Sequence, residues 1–212
     1  MTREADRIGV AAALLVVPYY NKPTQEGLYQ HFKAIADSVS IPCILYNVPS
    51  RTVVNLSAET TLRLSAVPNI VGIKEASGDL DQIGEIIDGA PDDFFVWSGN
   101  DNDFLPILVR GGYGVVSVAS HLVGKQMREM MELQIGGDAA RAEAIHNRLM
   151  PVFRDLFVVS NPIPVKYALN QVGFSVGGFR LPLTEPDEES ARTIMEAVRG
   201  VSLDLPLPAA AS

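Results

Sequence analysis

One lysine in this sequence stands where lysine is seldom found. Lys74 lies near the end of an apolar run, in the segment NIVGIKEASG at residues 69–78. An apolar run between turn residues is typical of a strand covered on both faces, as in a parallel sheet. Burial lowers the pKa of a lysine amine, and such an amine can attack a carbonyl group to form a Schiff base. The pattern predicts a nucleophilic lysine; the alternative is that Lys74 lies just past the strand and points into water.

Two other apolar runs are each followed by tyrosine. The run at residues 11–17 leads to Tyr20, and the run at residues 41–45 leads to Tyr46. In a parallel α/β sheet the carboxyl ends of the strands lie at one edge, where reactive groups gather. We therefore expect Lys74, Tyr46 and Tyr20 to meet at that edge. Phenol groups beside a lysine nucleophile suit imine chemistry, because protons must be transferred at each step.

The elements that position these residues alternate along the chain. Helices with capping residues at Thr24 and Ser57 are predicted after the first two strands. The predicted strands are 11–17, 41–46, 70–75, 94–97 and 114–118. Strands that alternate with helices indicate βαβ units and a parallel sheet. An open sheet and a closed eight-stranded barrel both fit this pattern, although the five strands are fewer than such a barrel needs.

Composition excludes several classes of protein. The chain has 212 residues, 47% of them hydrophobic, and a net charge of -8, which argues against binding to nucleic acid. The single cysteine, Cys43, lies in an apolar strand and is predicted to be a buried, inert thiol. No metal-ligand spacing is present. No apolar run is long enough for a transmembrane helix, and the mixed charge of residues 1–7 does not resemble a signal peptide, so we expect a cytoplasmic protein.

Three long motifs together resemble the dihydrodipicolinate synthase family. They are PYYNKPTQEGL at residues 18–28, YNVPSRT at 46–52 and GIKEASG at 72–78. The segments NPIPVK at 161–166 and RLPL at 180–183 resemble the C-terminal signature of the same family. The match covers nearly the whole chain, in order and at plausible spacing.

The resemblance implies a pyruvate-dependent class I aldolase on a (β/α)8 TIM barrel, without a cofactor. Lys74 would form the imine with pyruvate, and Tyr46 would relay protons. Tyr20 matches a tyrosine that reaches across a dimer interface into the neighbouring site, so a homo-oligomer, a dimer of dimers, is implied. Arg51 matches the arginine that binds the carboxylate of the aldehyde substrate, for which its planar fork is suited.

The resemblance also implies that the fifth predicted strand, 114–118, takes part in binding pyruvate. Val116, with Gly114 just before it, matches the strand that lines the pyruvate pocket. On the third strand, alternation is predicted to place Lys74, Gly72 and Ile70 on one face, with Gly72 leaving room beside the lysine stem.

One part of the family pattern has no counterpart in this sequence. Family members carry three further strands and a Gly-Thr-Thr-Gly-Glu motif, whose threonine completes the proton relay, ahead of the region matched here. The resemblance therefore implies a partial barrel, strands 4 to 8 of the family, at residues 1–137. C-terminal helices are predicted at 138–200 and a flexible tail at 201–212.

The implied reaction condenses pyruvate with aspartate semialdehyde, on the diaminopimelate route to lysine. Two alternatives remain open from the sequence. One is another pyruvate-type lyase, such as N-acetylneuraminate lyase; Arg51 favours the synthase because it suits a short substrate with a free carboxylate. The other is an inactive partial barrel that acts only as an assembly partner, with the unmatched threonine motif in its favour.

Overall fold

Strands and helices alternate through the first half of the chain in the computed structural model, which describes residues 1–205. Within that range the strands are β1 (Ala13–Val16), β2 (Cys43–Asn47), β3 (Ile70–Glu75), β4 (Phe95–Ser98) and β5 (Gly114–Val115). The helices are α1 (Thr2–Ile8), α2 (Gln25–Ala36), α3 (Pro49–Thr52), α4 (Ala58–Ser65), α5 (Leu80–Gly89), α6 (Phe104–Val109), α7 (Ser120–Ile135), α8 (Ala139–Asp155), α9 (Ile163–Gln171) and α10 (Glu188–Arg199).

The strands form one parallel sheet in the order β1-β2-β3-β4-β5, so the predicted parallel sheet of five strands is confirmed for residues 1–205. β1 and β5 are its two edges. The last strand is shorter than predicted, since it ends at Val115 instead of residue 118. The hydroxyl of Ser117 accepts a hydrogen bond from the backbone N–H of Ser120 at 2.8 Å, which turns the chain towards α7.

Capping side chains begin the helices where the sequence predicted them. The Thr24 hydroxyl accepts a hydrogen bond from the Gly27 N–H at 3.2 Å, and the Ser57 hydroxyl accepts one from Thr60 at 3.2 Å. The carboxylate of Asp79 accepts from the N–H groups of residues 81 and 82 at the start of α5. These bonds satisfy backbone donors that the first turn of a helix leaves open.

The two faces of the sheet are covered unequally. On one face, the strand side chains pack with α2, α4, α5 and α6 in a single buried cluster. Its members on the strands are Leu15, Cys43, Leu45, Ile70, Ile73 and Val96, and Val17, directly after β1, also belongs to it. On the opposite face of β1, Leu14 and Val16 remain 49% and 44% exposed. We call these the covered face and the open face.

Internal contacts divide the chain into two compact units, and the second begins at Ser117. In the first unit, Met1–Val116, the sheet and its covering helices share one core. In the second unit, α7 packs against α8, and α10 packs against α8 and α9. This division falls ahead of the domain boundary that the sequence predicted after residue 137, so the assignment of α7 to the barrel stays a prediction.

The end of the described chain is anchored within the second unit. The Asp204 carboxylate accepts hydrogen bonds from the N–H groups of Lys125 at 2.7 Å and Gln126 at 3.1 Å. The predicted flexible tail, 201–212, lies beyond the described residues from position 206 onwards. Among residues 1–205, no helix is both long and apolar enough to cross a membrane.

Candidate active site

Lys74 and Tyr46 are neighbours on two adjacent strands. Tyr46 of β2 pairs in register with Lys74 of β3, and the lysine Nζ lies 4.2 Å from the centroid of the tyrosine ring. In-register neighbours project from the same face of a sheet, because side chains alternate along a strand. Both residues are half-buried and lie on the open face, near the carboxyl ends of their strands. The structure therefore brings together two of the three residues that the sequence predicted for imine chemistry.

The surroundings of Lys74 favour a neutral amine. Burial lowers the pKa of Lys74; the negative charge of Asp101 acts in the opposite direction, and the positive charge of Arg51 lowers the pKa further. A lowered pKa increases the fraction of lysine that carries a free electron pair at neutral pH. Lys74 is therefore suited to attack a carbonyl carbon.

Tyr46 is held in its protonated form. Burial raises the pKa of its phenol, and the positive charge of Arg51 acts against this. A phenol that keeps its proton at neutral pH can donate it to an oxygen that leaves during carbinolamine dehydration. Burial thus favours the protonated phenol of Tyr46 and the unprotonated amine of Lys74, because each is the neutral form of its group.

Arg51 is exposed on the short helix α3, which follows β2 directly. The next residue, Thr52, is buried, and its single hydroxyl proton lies between the carbonyl oxygens of Val48 and Val54, which are 3.2 Å and 3.0 Å from the hydroxyl oxygen. Val53 then adopts a left-handed conformation with φ 64°, which is unusual for a β-branched residue. The local bonds hold this turn so that the guanidinium stands within electrostatic range of Lys74 and Tyr46.

Tyr20 does not join Lys74 within one chain. It lies in the loop between β1 and α2, with φ 43°, and its side chain is 94% exposed. A ring that is almost entirely exposed does not pack against a half-buried amine of the same chain. The expected meeting of three residues at one sheet edge is therefore wrong for a single copy. The role across a subunit interface, implied by the resemblance, stays a prediction.

The predicted pyruvate-lining residues lie at the end of the sheet. Gly114 of β5 pairs in register with Trp97 of β4, and the N–H of Val116 donates a hydrogen bond to the Ser98 carbonyl oxygen at 2.9 Å. Val116 is 45% exposed. Both residues lie in the first unit with Lys74, and their contact with a substrate stays a prediction.

The glycine beside Lys74 has a different neighbour from the one predicted. A Cβ at Gly72 would overlap the Phe95 carbonyl oxygen and lie 2.6 Å from Cζ3 of Trp97, so the space is taken by the indole. Gly99 is the residue next to the lysine stem, since a Cβ there would lie 3.0 Å from the Lys74 Cε.

Ile70 does not share the face of Lys74, contrary to the prediction. The register of β2 and β3 shifts between Cys43 and Ile44, because Cys43 pairs with Ile70 whereas Ile44 pairs with Gly72. The extra residue, Val71, is a β-bulge, which changes the alternation of side chains. Ile70 consequently belongs to the covered face.

Sequence reasoning missed a buried polar network behind Lys74 and Tyr46. Glu75 and Asn47 are 0% exposed and pair in register on the covered face. The amide of Asn47 donates to both carboxylate oxygens of Glu75 at 3.1 Å, and the N–H of Ser77 donates at 2.8 Å. The amide of Gln82 donates at 3.4 Å. Burial raises the pKa of Glu75, although these donors act against it.

The network also holds the loop that carries Arg51. Asn47 accepts a hydrogen bond from the Leu56 N–H at 3.0 Å, and its amide donates to the Asn55 side chain at 2.7 Å. Asn47 and Glu75 each follow a site residue directly in the sequence. Their pairing therefore fixes the ends of β2 and β3 relative to each other, and with them Tyr46 and Lys74.

Asp101 is a second residue that sequence reasoning missed. It is 1% exposed at the start of a 3-10 turn, Asp101–Asp103, after β4. Its negative charge raises the pKa of Lys74 and so limits the effect of burial. The signal in the sequence was its place after a predicted strand. Among the described residues, no group of three or more His, Cys, Asp and Glu side chains is arranged to hold a metal ion.

The sequence matches one family over almost all of its length. The model for the dihydrodipicolinate synthetase family matches residues 1–200. A 4-hydroxy-tetrahydrodipicolinate synthase of Dehalococcoides mccartyi is 62% identical over 206 residues, which are 97% of this chain and 69% of the relative. The enzyme of the same name from Symbiobacterium thermophilum is 58% identical over 93% of this chain and 67% of its own length.

Solved structures of similar proteins agree with the fold. A dihydrodipicolinate synthase from Bacillus anthracis superposes with a TM-score of 0.91 at 47% identity, covering 94% of this chain and 68% of that one. One from Thermotoga maritima has a TM-score of 0.90 at 42% identity, covering 93% and 68%. These neighbours are TIM-barrel proteins, so the predicted fold class is confirmed. The chain spans about two thirds of the length of the proteins that it matches.

Proposed function

Because this chain belongs to the dihydrodipicolinate synthetase family, we propose that it catalyses the condensation of pyruvate with aspartate semialdehyde. The reaction is that of a 4-hydroxy-tetrahydrodipicolinate synthase, a lyase of lysine biosynthesis. The observation that carries the proposal is the half-buried Lys74, whose pKa is lowered and whose amine lies 4.2 Å from the Tyr46 ring. The substrates are inferred from family membership, and the imine chemistry is inferred from the Lys74–Tyr46 pair.

The first half of the reaction is imine formation. The Nζ of Lys74 attacks C2 of pyruvate, a carbon–nitrogen bond forms, and the carbonyl oxygen leaves as water after it gains protons. Tyr46 is placed to supply a proton because its phenol stays protonated at neutral pH. Loss of a proton from C3 then gives an enamine, in which C3 is the nucleophile.

The second half joins the two substrates. C3 of the enamine attacks the aldehyde carbon of aspartate semialdehyde, a carbon–carbon bond forms, and the aldehyde oxygen takes up a proton. The amino group of the semialdehyde part then attacks C2 and closes the ring, and the bond between C2 and the Lys74 Nζ breaks, so that the lysine amine leaves with a proton. Arg51 is proposed to bind the carboxylate of this substrate, because a guanidinium pairs with two oxygens at once. Its exposed position on α3 and its electrostatic effect on the pKa of Lys74 support that role. Gly114 and Val116 are proposed to line the side of the pyruvate pocket.

A homo-oligomer is part of the proposal. The exposed, left-handed Tyr20 is suited to act in the site of a second copy, where its hydroxyl would join the proton relay. A dimer of dimers, as the resemblance implies, would bring this about. The biosynthetic role favours a cytoplasmic location, which is likewise a proposal.

A substrate panel tests the function. The chain is assayed alone and mixed with the remaining N-terminal region of the Dehalococcoides mccartyi synthase, expressed as a separate polypeptide. We expect formation of 4-hydroxy-tetrahydrodipicolinate from pyruvate and aspartate semialdehyde, with the higher rate in the mixture. Cleavage of sialic acid without condensation would identify a different lyase. Assembly in the mixture without any imine at Lys74 would favour an inactive assembly partner.

A further inference from the structure

The one tryptophan of the sequence lies next to the proposed nucleophile. Trp97 of β4 pairs in register with Lys74 of β3, so both side chains project from the open face. The indole is half-buried. Because the residue has no part in the imine chemistry described above, its position calls for a separate explanation.

One glycine makes room for the indole, and a second lies in contact with it. A Cβ at Gly72 would lie 2.6 Å from Cζ3 of Trp97, which no side chain could tolerate, whereas a Cβ at Gly114 would lie at an ordinary contact distance of 3.5 Å from its Cδ1. The ring therefore extends over β3 on one side and towards β5 on the other. Gly72 precedes Lys74 by two residues on the same strand. The indole therefore leans towards the amino-terminal side of Lys74 on β3, which is the lower side when the carboxyl ends of the strands are at the top.

Two further aromatic rings support the indole from below. Phe95, two residues earlier on β4, has its ring centroid 5.9 Å from that of Trp97. Tyr113 lies 5.4 Å from Trp97 and 4.6 Å from Phe95, both at tilted or edge-on angles. Such pairs stabilise one another at these separations. The three rings restrict the ways in which Trp97 can move away from Lys74.

We propose that Trp97 is the floor of the keto-acid pocket and selects for a short 2-oxo acid. This inference rests on the proposed function, since it concerns the substrate that Lys74 binds. A 2-oxo acid attached to Lys74 must fit between the indole below and Arg51 at the entrance. On this proposal the bulk of the indole limits the chain that fits to the three carbons of pyruvate, and a smaller side chain at this position would admit additional methylene groups. Trp97 is thus a specificity-determining residue, whereas Gly72 positions its ring.

Fluorescence provides a test without any substitution. Because Trp97 is the sole tryptophan, its emission reports directly on the floor. We expect pyruvate to change this emission saturably, with the same concentration dependence as the adduct at Lys74 that borohydride reduction traps. The Lys74→Ala chain should show no saturable change. An adduct that forms at Lys74 while the emission stays constant would overturn the floor and leave the proposed function intact.

Substitution of the floor tests selectivity. Pyruvate, 2-oxobutyrate and 2-oxopentanoate are trapped with borohydride on the original chain and on Trp97→Leu and Trp97→Phe, and adducts are measured by mass spectrometry. One methylene group in an apolar pocket changes discrimination by roughly 10–200-fold. We therefore expect Trp97→Leu to reduce the preference for pyruvate over 2-oxobutyrate by about tenfold or more, with Trp97→Phe between the two.

Controls separate the floor from the function. Tyr29→Leu removes an aromatic ring from α2, which packs against the covered face, and should keep the original preference. An unchanged preference in both Trp97→Leu and Trp97→Phe would overturn the floor alone. If Trp97→Leu does not fold, the substrate preference of Trp97→Phe and the fluorescence titration still test whether Trp97 forms the floor of the pocket. The absence of an adduct on the original chain with every 2-oxo acid would overturn the proposed function and the floor together.

Discussion

The two faces of the sheet in the first unit differ both in what covers them and in what they carry. The covered face consists of apolar side chains such as Leu45 and Ile73, fully buried beneath helices, and of the Glu75–Asn47 network at its edge. The open face carries Lys74, Tyr46 and Trp97, beside apolar residues that remain partly exposed. Two consecutive residues of β3 thus have different roles. Glu75 holds the end of the strand in place from the covered face, and Lys74 is the proposed nucleophile on the open face.

The comparison explains how a lysine is accommodated in the middle of a sheet. An ammonium group on the covered face would be surrounded by apolar side chains, where an unpaired charge is very costly. On the open face the amine is only half-buried, and Asp101 offsets part of the effect of burial on its pKa. The open face, whose side chains stay partly exposed, is therefore the one on which a reactive amine can be kept.

The largest expected effect is the loss of the nucleophile from the open face. Lys74→Ala should lower condensation by several orders of magnitude, because no other group replaces the covalent step. Lys74→Arg should be nearly as damaging, since a guanidinium stays protonated at neutral pH. Steady-state assays of each variant, mixed with the N-terminal region of the Dehalococcoides mccartyi synthase, measure the two losses of activity. Substantial activity in either variant would place the chemistry on a different residue.

Removal of the proposed proton donor comes next. Tyr46→Phe keeps the ring that packs against Lys74 and removes only the hydroxyl. General acid–base catalysis contributes typically about 10²–10⁴-fold, so turnover should fall within that range. Tyr29→Phe, on the other side of the sheet, is the matched control and should retain full activity. Equal rates for the two variants would contradict the role of Tyr46.

The same substitution of leucine by alanine on each face compares how much the two faces contribute to the free energy of unfolding. Leu45→Ala, on the covered face, should cost about 2–5 kcal/mol of unfolding free energy, because it leaves a cavity in a close-packed core. Leu14→Ala, on the half-exposed open face, should cost less than about 1 kcal/mol. Denaturant unfolding of the first unit can be followed by Trp97 emission. Similar costs at both positions would mean that the open face is covered in solution.

The sequence predicted more of the open face than of the covered one. Lys74 and Tyr46 were found because an apolar strand pattern ended at a residue that carries chemistry, and the strands themselves follow from the same periodicity. The Glu75–Asn47 pair was missed, although it could have been deduced. In a parallel register, pairing of Tyr46 with Lys74 also pairs the next residues along each strand, Asn47 and Glu75.

Other features had no local signal. The β-bulge that moves Ile70 to the covered face depends on the register between β2 and β3, which periodicity within one strand does not define. β5 is followed by a turn in which the Ser117 hydroxyl accepts a hydrogen bond from the Ser120 N–H, a local contact that strand periodicity does not reveal. The exposure of Tyr20 is a matter of tertiary structure, because strand-end position alone cannot say towards which copy a loop residue points.

The smallest effect concerns the pH dependence of the covered face. Burial raises the pKa of Glu75 above its usual value of 4.5, so the folded state binds this proton more readily than the unfolded state. The contribution of Glu75 to stability is therefore greatest below pH 4.5 and is lost as the pH rises through the folded pKa. Relative to Glu75→Gln, whose amide does not titrate, the original chain should gain stability as the pH falls through this window.

Denaturant titrations of both chains at several pH values, read from Trp97 emission, measure this difference. Other titrating groups cancel between the two chains because they are the same in each. A constant difference across the window would show that the pKa of Glu75 is not raised by burial.

The most direct test of the account is the location of the covalent adduct. The chain is incubated with pyruvate, reduced with borohydride, which adds hydride to the imine carbon, and digested for peptide mapping by mass spectrometry. We predict a reduced three-carbon adduct on Lys74 in the peptide that contains residues 70–75, and none in the Lys74→Ala chain. An adduct on another lysine, or equal labelling of the Lys74→Ala chain, would contradict the assignment of the open face as the reactive one.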